Sequence, residues 1–325
     1  LFLNPITLVG YQAVQSQKGG ERYVDDVALS PDGKTLYVSR GMLEDTAAFS
    51  LVTKKMLWRT DVGSFNSDHM AISPDGTKLI VSATTAKKSQ VIRASDGKII
   101  NSFATGDYPH ENTFSADGKT LYNASIGTTL FGYALNGLKG DRQITAVDAV
   151  TFAQKKVYKF DYGVRPSVLT NDERYYYAQL SYSRGFVEYD LLQSKITRTA
   201  TLPGSAAGDA LGKDNYPSNS AHHGLAMNGA GTKFCNAGTI DNYVKIVDRA
   251  SFAVTGTVSG QQKPYWATTS HDGNTCLVSN SDGDFISVIN YATGAEVKRV
   301  AVGDYPQRER LHKIDTSVIA GLSRS

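Results

Sequence analysis

The chain has little of what marks membrane-spanning, nucleic-acid-binding or disulfide-scaffold proteins. No stretch approaches the roughly 18 to 20 apolar residues of a membrane span. The 34 basic and 31 acidic residues nearly cancel, so neither a nucleic-acid arm nor an acidic tail is expected. With only 2 cysteines and 9 prolines in 325 residues, a multi-cysteine zinc site and a disulfide framework are excluded. These absences indicate a globular protein with no membrane span and no nucleic-acid partner.

A four-residue turn recurs along the chain. The segment Ser-Pro-Asp-Gly at 30–33 returns at 73–76, and related segments stand at 115–118 and 270–273. Proline presets φ, aspartate bonds back to the backbone, and glycine accepts the left-handed conformation, which together favour a tight turn. A strand-like apolar run follows each turn, as at 35–39 and 78–82. The pattern predicts hairpins and an all-β protein.

The residue five places before each turn marks one repeat. Neighbouring markers are 42 to 58 residues apart, and the shortest unit fits four short strands. The seven markers are Asp25, Asp68, His110, Arg165, His223, Tyr265 and Gln307. Residues 307–325 and 1–24 together make the seventh unit, which is split between the two ends of the chain. We therefore predict a single domain over 1–325, a seven-bladed β-propeller of four-stranded antiparallel blades whose seventh blade is closed by the N- and C-terminal strands.

The runs at 37–40 and 277–280, with the Ser-Pro-Asp-Gly turns, resemble the YVTN-repeat propellers, relatives of the lactonase-like propellers. That superfamily hosts enzymes, cofactor-bearing domains and binding proteins, so the resemblance implies a fold and not one activity. Such propellers often work outside the cytoplasm. The resemblance thus implies a periplasmic or secreted protein, although no signal sequence is visible after Leu1. We expect a monomer.

Two intervals between markers are longer than the others. The excess falls near 127–143 and 203–221, in loops that lie on the same face of a four-stranded blade. Long loops without regular structure are usually functional or disordered. We interpret the two insertions as a lid over one mouth of the ring.

The markers and the residues after them begin the innermost strands and are expected to line that mouth. Charged and polar groups there are costly to desolvate unless they are paired or functional. The leading interpretation is a hydrolase, lyase or isomerase that uses histidine and carboxylate acid-base chemistry near pH 7. The predicted catalytic residues are His110, Glu111, His69, His223 and Asp68.

A small anionic or aromatic organic molecule is the expected ligand. Arginines would anchor an anionic group and aromatic rings would form flat apolar walls. The predicted substrate-binding residues are Arg165, Tyr265, Trp266, Arg308, His222 and Asp25. No nucleotide cofactor is expected, because the glycines at 229 and 231 occupy a turn between strands and open no helix. No nucleophile elbow of a serine hydrolase occurs either.

Two alternatives remain open. His69, His110 and His223 could bind zinc, iron or copper, which would make the protein a metal-dependent oxidoreductase. A non-catalytic propeller would instead use the same polar groups for channel salt bridges and blade packing, and would bind a protein or polymer on one face. The cysteines Cys235 and Cys276 are expected to be buried thiols, because packed sheets lie about 10 Å apart and a disulfide needs closer Cα atoms.

Overall fold

The structure, a computed structural model, describes residues 24–322. In this part of the chain 24 strands form six four-stranded antiparallel sheets, and the strands of each sheet follow one another in chain order. The first three sheets comprise β1 (Asp26–Leu29), β2 (Thr35–Arg40), β3 (Asp45–Ser50), β4 (Met56–Asp61); β5 (Ser67–Ile72), β6 (Lys78–Ala83), β7 (Lys88–Arg93), β8 (Ile99–Ala104); β9 (Pro109–Phe114), β10 (Thr120–Ser125), β11 (Gln143–Asp148) and β12 (Gln154–Lys159).

The other three sheets follow the same plan. They comprise β13 (Val164–Leu169), β14 (Tyr175–Leu180), β15 (Gly185–Asp190), β16 (Lys195–Thr201); β17 (Leu225–Met227), β18 (Lys233–Gly238), β19 (Tyr243–Asp248), β20 (Val254–Val258); β21 (Pro264–Thr269), β22 (Thr275–Asn280), β23 (Phe285–Asn290) and β24 (Glu296–Ala301). The helices in the described range are α1 (Ala206–Ala210), α2 (Thr316–Leu322) and the 3-10 turns Gly41–Leu43, Thr84–Ala86, Tyr133–Leu138, Lys213–Asn215 and Pro217–Asn219. None of these helices is long and apolar enough to cross a membrane.

The described residues fall into two compact units. The first contains 24–124, 145–157 and 312–322, and the second contains 125–144 and 158–311. The sheet of β9 to β12 has residues in both. Each unit has its own apolar core between neighbouring sheets, with Tyr37, Met70 and Leu79 in the first unit and Phe186 and Phe234 in the second. The last strand of each sheet is mostly exposed, as in β4 and β8, so the inner strands carry the core.

The predicted turns are confirmed. At each of the four copies the glycine N–H donates to the carbonyl of the serine three residues earlier, at 2.7 to 2.9 Å. The four glycines have φ between +67° and +73°, a conformation that glycine adopts at little cost. The chain therefore makes the hairpins that the repeat predicts.

The described residues show six sheets, whereas the sequence predicts seven blades. Residues 302–315 form no strand and 316–322 form α2, although inner strands of the last blade are predicted from residue 307 onward. The N-terminal share of that blade, 1–23, lies outside the described residues. Gly33 contacts the backbone of Lys313 and Asp315, so the segment before α2 packs on the first sheet. A seventh blade stays a prediction.

The prediction of two thiols is wrong, because Cys235 and Cys276 form a disulfide with Cα atoms 6.4 Å apart. The spacing of about 10 Å that argued against it applies to sheets held apart by side chains. Here the fifth and sixth sheets approach through glycine. The Gly229 N–H donates to the Gly273 carbonyl at 3.0 Å, and a Cβ on Gly229 would lie 2.8 Å from the Gly273 Cα.

The two insertions contact each other in the second unit. Asp214 accepts hydrogen bonds from the backbone N–H groups of Tyr133 and Ala134, and the Lys213 ammonium lies 4.3 Å from the Tyr133 ring centroid. Asn219 donates to the Thr129 carbonyl at 3.2 Å. The insertions thus form one structured surface and not two separate loops.

Candidate functional site

β-Bulges place several of the predicted site residues. Along β5, Ser67 pairs with Ala83 and Met70 pairs with Val81, so Asp68 and His69 together oppose one residue of β6. Successive residues of a regular strand point to opposite faces, and a bulge re-aims them. The carboxylate of Asp68 lies 3.4 Å from the His69 Nε2 as a result.

The same irregularity recurs in the second unit. The register of β13 shifts between Val164 and Ser167, which brackets Arg165, and that of β21 shifts between Pro264 and Trp266, which brackets Tyr265. Three of the repeat positions, those of Asp68, Arg165 and Tyr265, therefore lie at a local backbone irregularity, a feature common next to active sites.

Asp68, His69 and His110 converge in the first unit. One ligand atom from each lies within 4.8 Å of the other two, and the imidazole centroids of His69 and His110 are 3.8 Å apart. His69 is fully buried, and Asp68 and His110 are each 5% exposed. A buried carboxylate and two imidazoles in contact form the strongest concentration of ligand atoms in the described residues.

Hydrogen bonds between side chains and backbone groups hold the two strands that carry this cluster. Ser82 Oγ donates to the His110 carbonyl at 2.8 Å, and Asn112 Nδ2 donates to the His69 carbonyl at 3.2 Å. Asp26 accepts from the Met70 N–H at 3.0 Å and so joins β1 to β5. These hydrogen bonds fix the backbone at His69 and His110.

The donor set fits a transition-metal ion. Ligand atoms about 2.1 Å from a tetrahedral ion lie about 3.4 Å from one another. The present separations, all within 4.8 Å, would contract by at most about 1.4 Å, which side-chain rotation can supply. Two neutral imidazoles and one carboxylate are ligands that zinc and iron both accept, and three protein ligands leave a coordination position open.

The remaining acidic residues of the prediction, Glu111 and Asp25, are both buried. Glu111 is 6% exposed, and its carbonyl accepts a hydrogen bond from Asn123 at 3.4 Å. Asp25 is 7% exposed, and a side chain added at Gly41 would lie 2.4 Å from its carboxylate oxygen. Neither belongs to the group of converging ligand atoms.

In the second unit, aromatic rings and arginines surround His223. Its imidazole stacks on Tyr265 with centroids 4.2 Å apart, and it lies 6.0 Å from Trp266. The guanidinium carbons of Arg308 and Arg310 lie 4.5 and 4.8 Å from the Trp266 ring centroid. Side chains of the chain itself thus stack on Tyr265 and Trp266, and the substrate-binding role of these two residues stays a prediction.

Histidine acid-base chemistry near pH 7 is predicted for His110 or His223, and the surroundings of His223 disfavour His223 in that role. Burial, followed by the positive charges of Arg165 and Arg308, holds the pKa of His223 well below its ordinary value. The imidazole is therefore neutral at physiological pH and is unsuited to act as a general acid there. His223 lies in the second unit. The group of converging ligand atoms lies in the first unit and contains Asp68, and not His223, beside His69 and His110.

His222 is a structural residue. Its Nδ1 accepts hydrogen bonds from the Gly185 N–H at 2.9 Å and from Asn236 at 3.0 Å, so the proton resides on Nε2, which lies 3.0 Å from Asp241. Burial lowers the pKa of His222. The same carboxylate accepts from Arg184 and from the Ser205 N–H at the start of α1. This network ties His222 to the start of the 203–221 insertion, and the predicted substrate-binding role of His222 stays a prediction.

Sequence reasoning missed several residues of this region. Lys139, Arg310 and Glu309 lie outside the repeat positions, so register alone could not select them. Lys139 was detectable only as a cation inside the 127–143 insertion. Asp241 was detectable only as an acid in the loop between β18 and β19, one turn from the disulfide-linked strand.

An open groove of about 500 Å³ also lies in the second unit. It is lined by Tyr177, Glu188, Arg198 and Arg249, and by none of the predicted site residues. Arg198 pairs with Glu188, and Arg249 donates to the Tyr177 hydroxyl at 2.9 Å. Arg198 and Glu188 are therefore engaged with each other, and Arg249 is engaged with Tyr177.

Comparison with known proteins defines the fold class. Hydrazine synthase of Kuenenia stuttgartiensis has a similar structure, with a TM-score of 0.68 and 17% sequence identity over 87% of this chain and 88% of that chain. At that identity the likeness carries the fold alone, and together with the four-stranded sheets it makes this chain a multi-bladed β-propeller. No family model matches the chain, and no curated protein matches it in sequence. The resemblance to YVTN-repeat and lactonase-like propellers stays a prediction.

Proposed function

We propose that the chain is a propeller enzyme that acts on a small molecule through a divalent transition metal held by Asp68, His69 and His110. The observation that carries the proposal is the convergence of three buried ligand atoms within 4.8 Å. Structural zinc sites close all four positions with protein ligands, whereas catalytic sites keep one open. A set of three donors corresponds to the second kind.

The metal would supply Lewis-acid chemistry. A bound divalent ion polarises a carbonyl or lowers the pKa of a bound water to about 7. A zinc ion at this site would favour hydrolysis. An iron ion held by two imidazoles and one carboxylate would favour oxidation, so the identity of the metal would select the reaction class. Glu111, next to His110 in sequence and almost buried, is the proposed base for a proton released at the centre.

Cobalt titration tests the ligand set. Protein freed of metal by a chelator is titrated with Co²⁺, and we expect visible absorption that saturates at one equivalent. His110→Ala should abolish the signal. His271→Ala is the matched control, because His271 is exposed in a turn of the second unit. Absence of a saturable signal in the unmodified protein, or equal loss in both variants, would overturn the proposal.

Metal-free acid-base catalysis is a second candidate that one distance favours. The Asp68 carboxylate lies 3.4 Å from the His69 Nε2, a carboxylate–imidazole pair of the kind that orients a general base. The full burial of His69 favours the metal, because a general base must reach its substrate. A turnover that persists in chelator-treated protein and depends on one group with a pKa near 6 to 7 would select this candidate instead.

The proposed location is outside the cytoplasm. The disulfide between Cys235 and Cys276 supports it, because disulfides persist in oxidising compartments and are rare in the cytosol. Free-thiol titration of protein taken directly from its native compartment tests this. We expect no reactive thiol before reduction and two after it.

A further inference from the structure

Two buried asparagines stand in the third sheet where other sheets have apolar residues. The position two residues after a marker pairs across the sheet with the position five residues after the turn glycine. In three sheets the pair is apolar: Val27 with Val38, Met70 with Val81, and Ala267 with Val278. The third sheet has Asn112 and Asn123 at these positions, 6% and 0% exposed. A buried amide costs free energy unless it is hydrogen-bonded, so the bonds of this pair indicate its role.

Asn112 links the two strands that carry the histidines of the metal-ligand cluster. Its Nδ2 donates to the His69 carbonyl at 3.2 Å and to Ser82 Oγ at 2.9 Å. Ser82 is fully buried, and its Oγ donates in turn to the His110 carbonyl at 2.8 Å. A chain of three hydrogen bonds therefore runs from the backbone of His69 to the backbone of His110 through one amide and one hydroxyl.

Asn123 and Ser89 hold the Asn112 amide in this orientation. The Asn112 Oδ1 accepts from Ser89 Oγ at 3.2 Å and from Asn123 Nδ2 at 3.0 Å. The Asn123 Nδ2 also donates to the Glu111 carbonyl at 3.4 Å, and a carbonyl can only accept. Both donors therefore meet the oxygen of Asn112, which directs its nitrogen at the His69 carbonyl. The network reaches the backbone of both histidines and of the proposed base.

We propose that Asn112 is a positioning residue that sets the separation of His69 and His110, with Asn123 holding its amide in place. The two imidazoles are 3.8 Å apart but belong to β5 and β9, strands of two different sheets. Their contact therefore depends on how these two strands are held together. The purpose of this arrangement rests on the proposed metal centre, because groups that orient metal ligands typically change metal affinity about 10- to 100-fold when they are replaced.

Cobalt titration of two matched variants measures the effect on the metal site. Asn112→Leu keeps a similar volume and removes the hydrogen bonds, so the Co²⁺ affinity should fall about 10- to 100-fold, with a changed visible spectrum. Gln90→Leu is the control in the same unit. Gln90 is 4% exposed, and its Nε2 donates to the Val62 carbonyl at 2.8 Å, so this variant also loses a buried amide bond to a carbonyl. We expect it to lower stability and leave the Co²⁺ affinity unchanged.

NMR of the histidine imidazoles in metal-free protein tests the positioning role without a metal. The resonances of His69 and His110 should shift in Asn112→Leu and stay in place in Gln90→Leu. If Asn112→Leu does not fold, Ser82→Ala breaks the same chain of hydrogen bonds and should produce the same shifts. Unmodified protein that binds no Co²⁺ would overturn the proposed function, and the imidazole resonances would still decide the positioning role. Unchanged resonances in the folded variant, or equal changes in the Gln90 variant, would overturn that role.

Discussion

The two units place histidine among opposite kinds of neighbour. In the first unit, His69 and His110 touch each other and meet the carboxylate of Asp68. In the second, the positive charges of Arg165 and Arg308 act on the buried His223. The repeat brings His110 and His223 to equivalent positions, yet carboxylate and imidazole donors suit a cation while guanidinium groups suit an anion. The comparison teaches that register selects the position and neighbouring side chains decide its chemistry.

The disulfide gives the largest expected difference between the units, because Cys235 and Cys276 both lie in the second. Replacing both by serine should lower the free energy of unfolding by about 4 kcal/mol, the loop-closure value for a separation of 41 residues. Urea denaturation followed by Trp266 emission in the Trp58→Phe background measures it. A loss below about 1 kcal/mol would show that close packing of the two sheets, and not the bond, stabilises this region.

The Asp241 network gives the next largest effect. Burial raises the pKa of Asp241, but hydrogen bonds from His222, Arg184 and Ser205 outweigh it and lower the pKa to about 2. Asp241→Asn should therefore destabilise the protein by about 2 kcal/mol at neutral pH. A depressed carboxylate pKa stabilises the fold above the ordinary value, so this contribution should vanish as the pH falls from about 4 to 2.

Asp282→Asn is the control for that measurement. Asp282 is exposed in the loop between β22 and β23, and its replacement should change stability by less than about 0.5 kcal/mol. Equal losses in the two variants would mean that the network around Asp241 adds nothing to an ordinary surface charge.

Acidification should test whether His223, one of two buried histidines of the second unit, is neutral in the folded protein. Burial and the charges of Arg165 and Arg308 lower the pKa of His223. Below about pH 6, His223 therefore binds a proton in the unfolded chain but not in the folded chain. Stability should then fall by about 1.4 kcal/mol for each pH unit below about 6. His223→Gln should remove that share of the slope. An unchanged slope in equilibrium unfolding between pH 6 and 4 would contradict the assigned neutrality.

The repeat made the strands and turns predictable, because proline, aspartate and glycine at fixed spacing act through local backbone preferences. It also selected the positions of Asp68, Arg165 and Tyr265. It could not show that these positions are bulges, because a bulge depends on the register of the neighbouring strand.

Contacts between residues far apart in the chain could not be predicted from the sequence. The disulfide depends on how closely two glycines allow neighbouring sheets to pack, and the role of His222 depends on Asp241, which lies 19 residues further along the chain. The depressed pKa of His223 results from arginines on other strands and segments. Charge and packing between distant residues, and not local propensity, decided each of these outcomes.

Elemental analysis of protein purified without a histidine tag or chelator tests the central claim most directly. If Asp68, His69 and His110 hold a metal, the unmodified protein should contain about one equivalent of zinc, iron or copper per chain. The metal should be lost in His69→Ala and His110→Ala and retained in His271→Ala. Protein that is folded, metal-free and unable to take up any of the three ions would contradict the account.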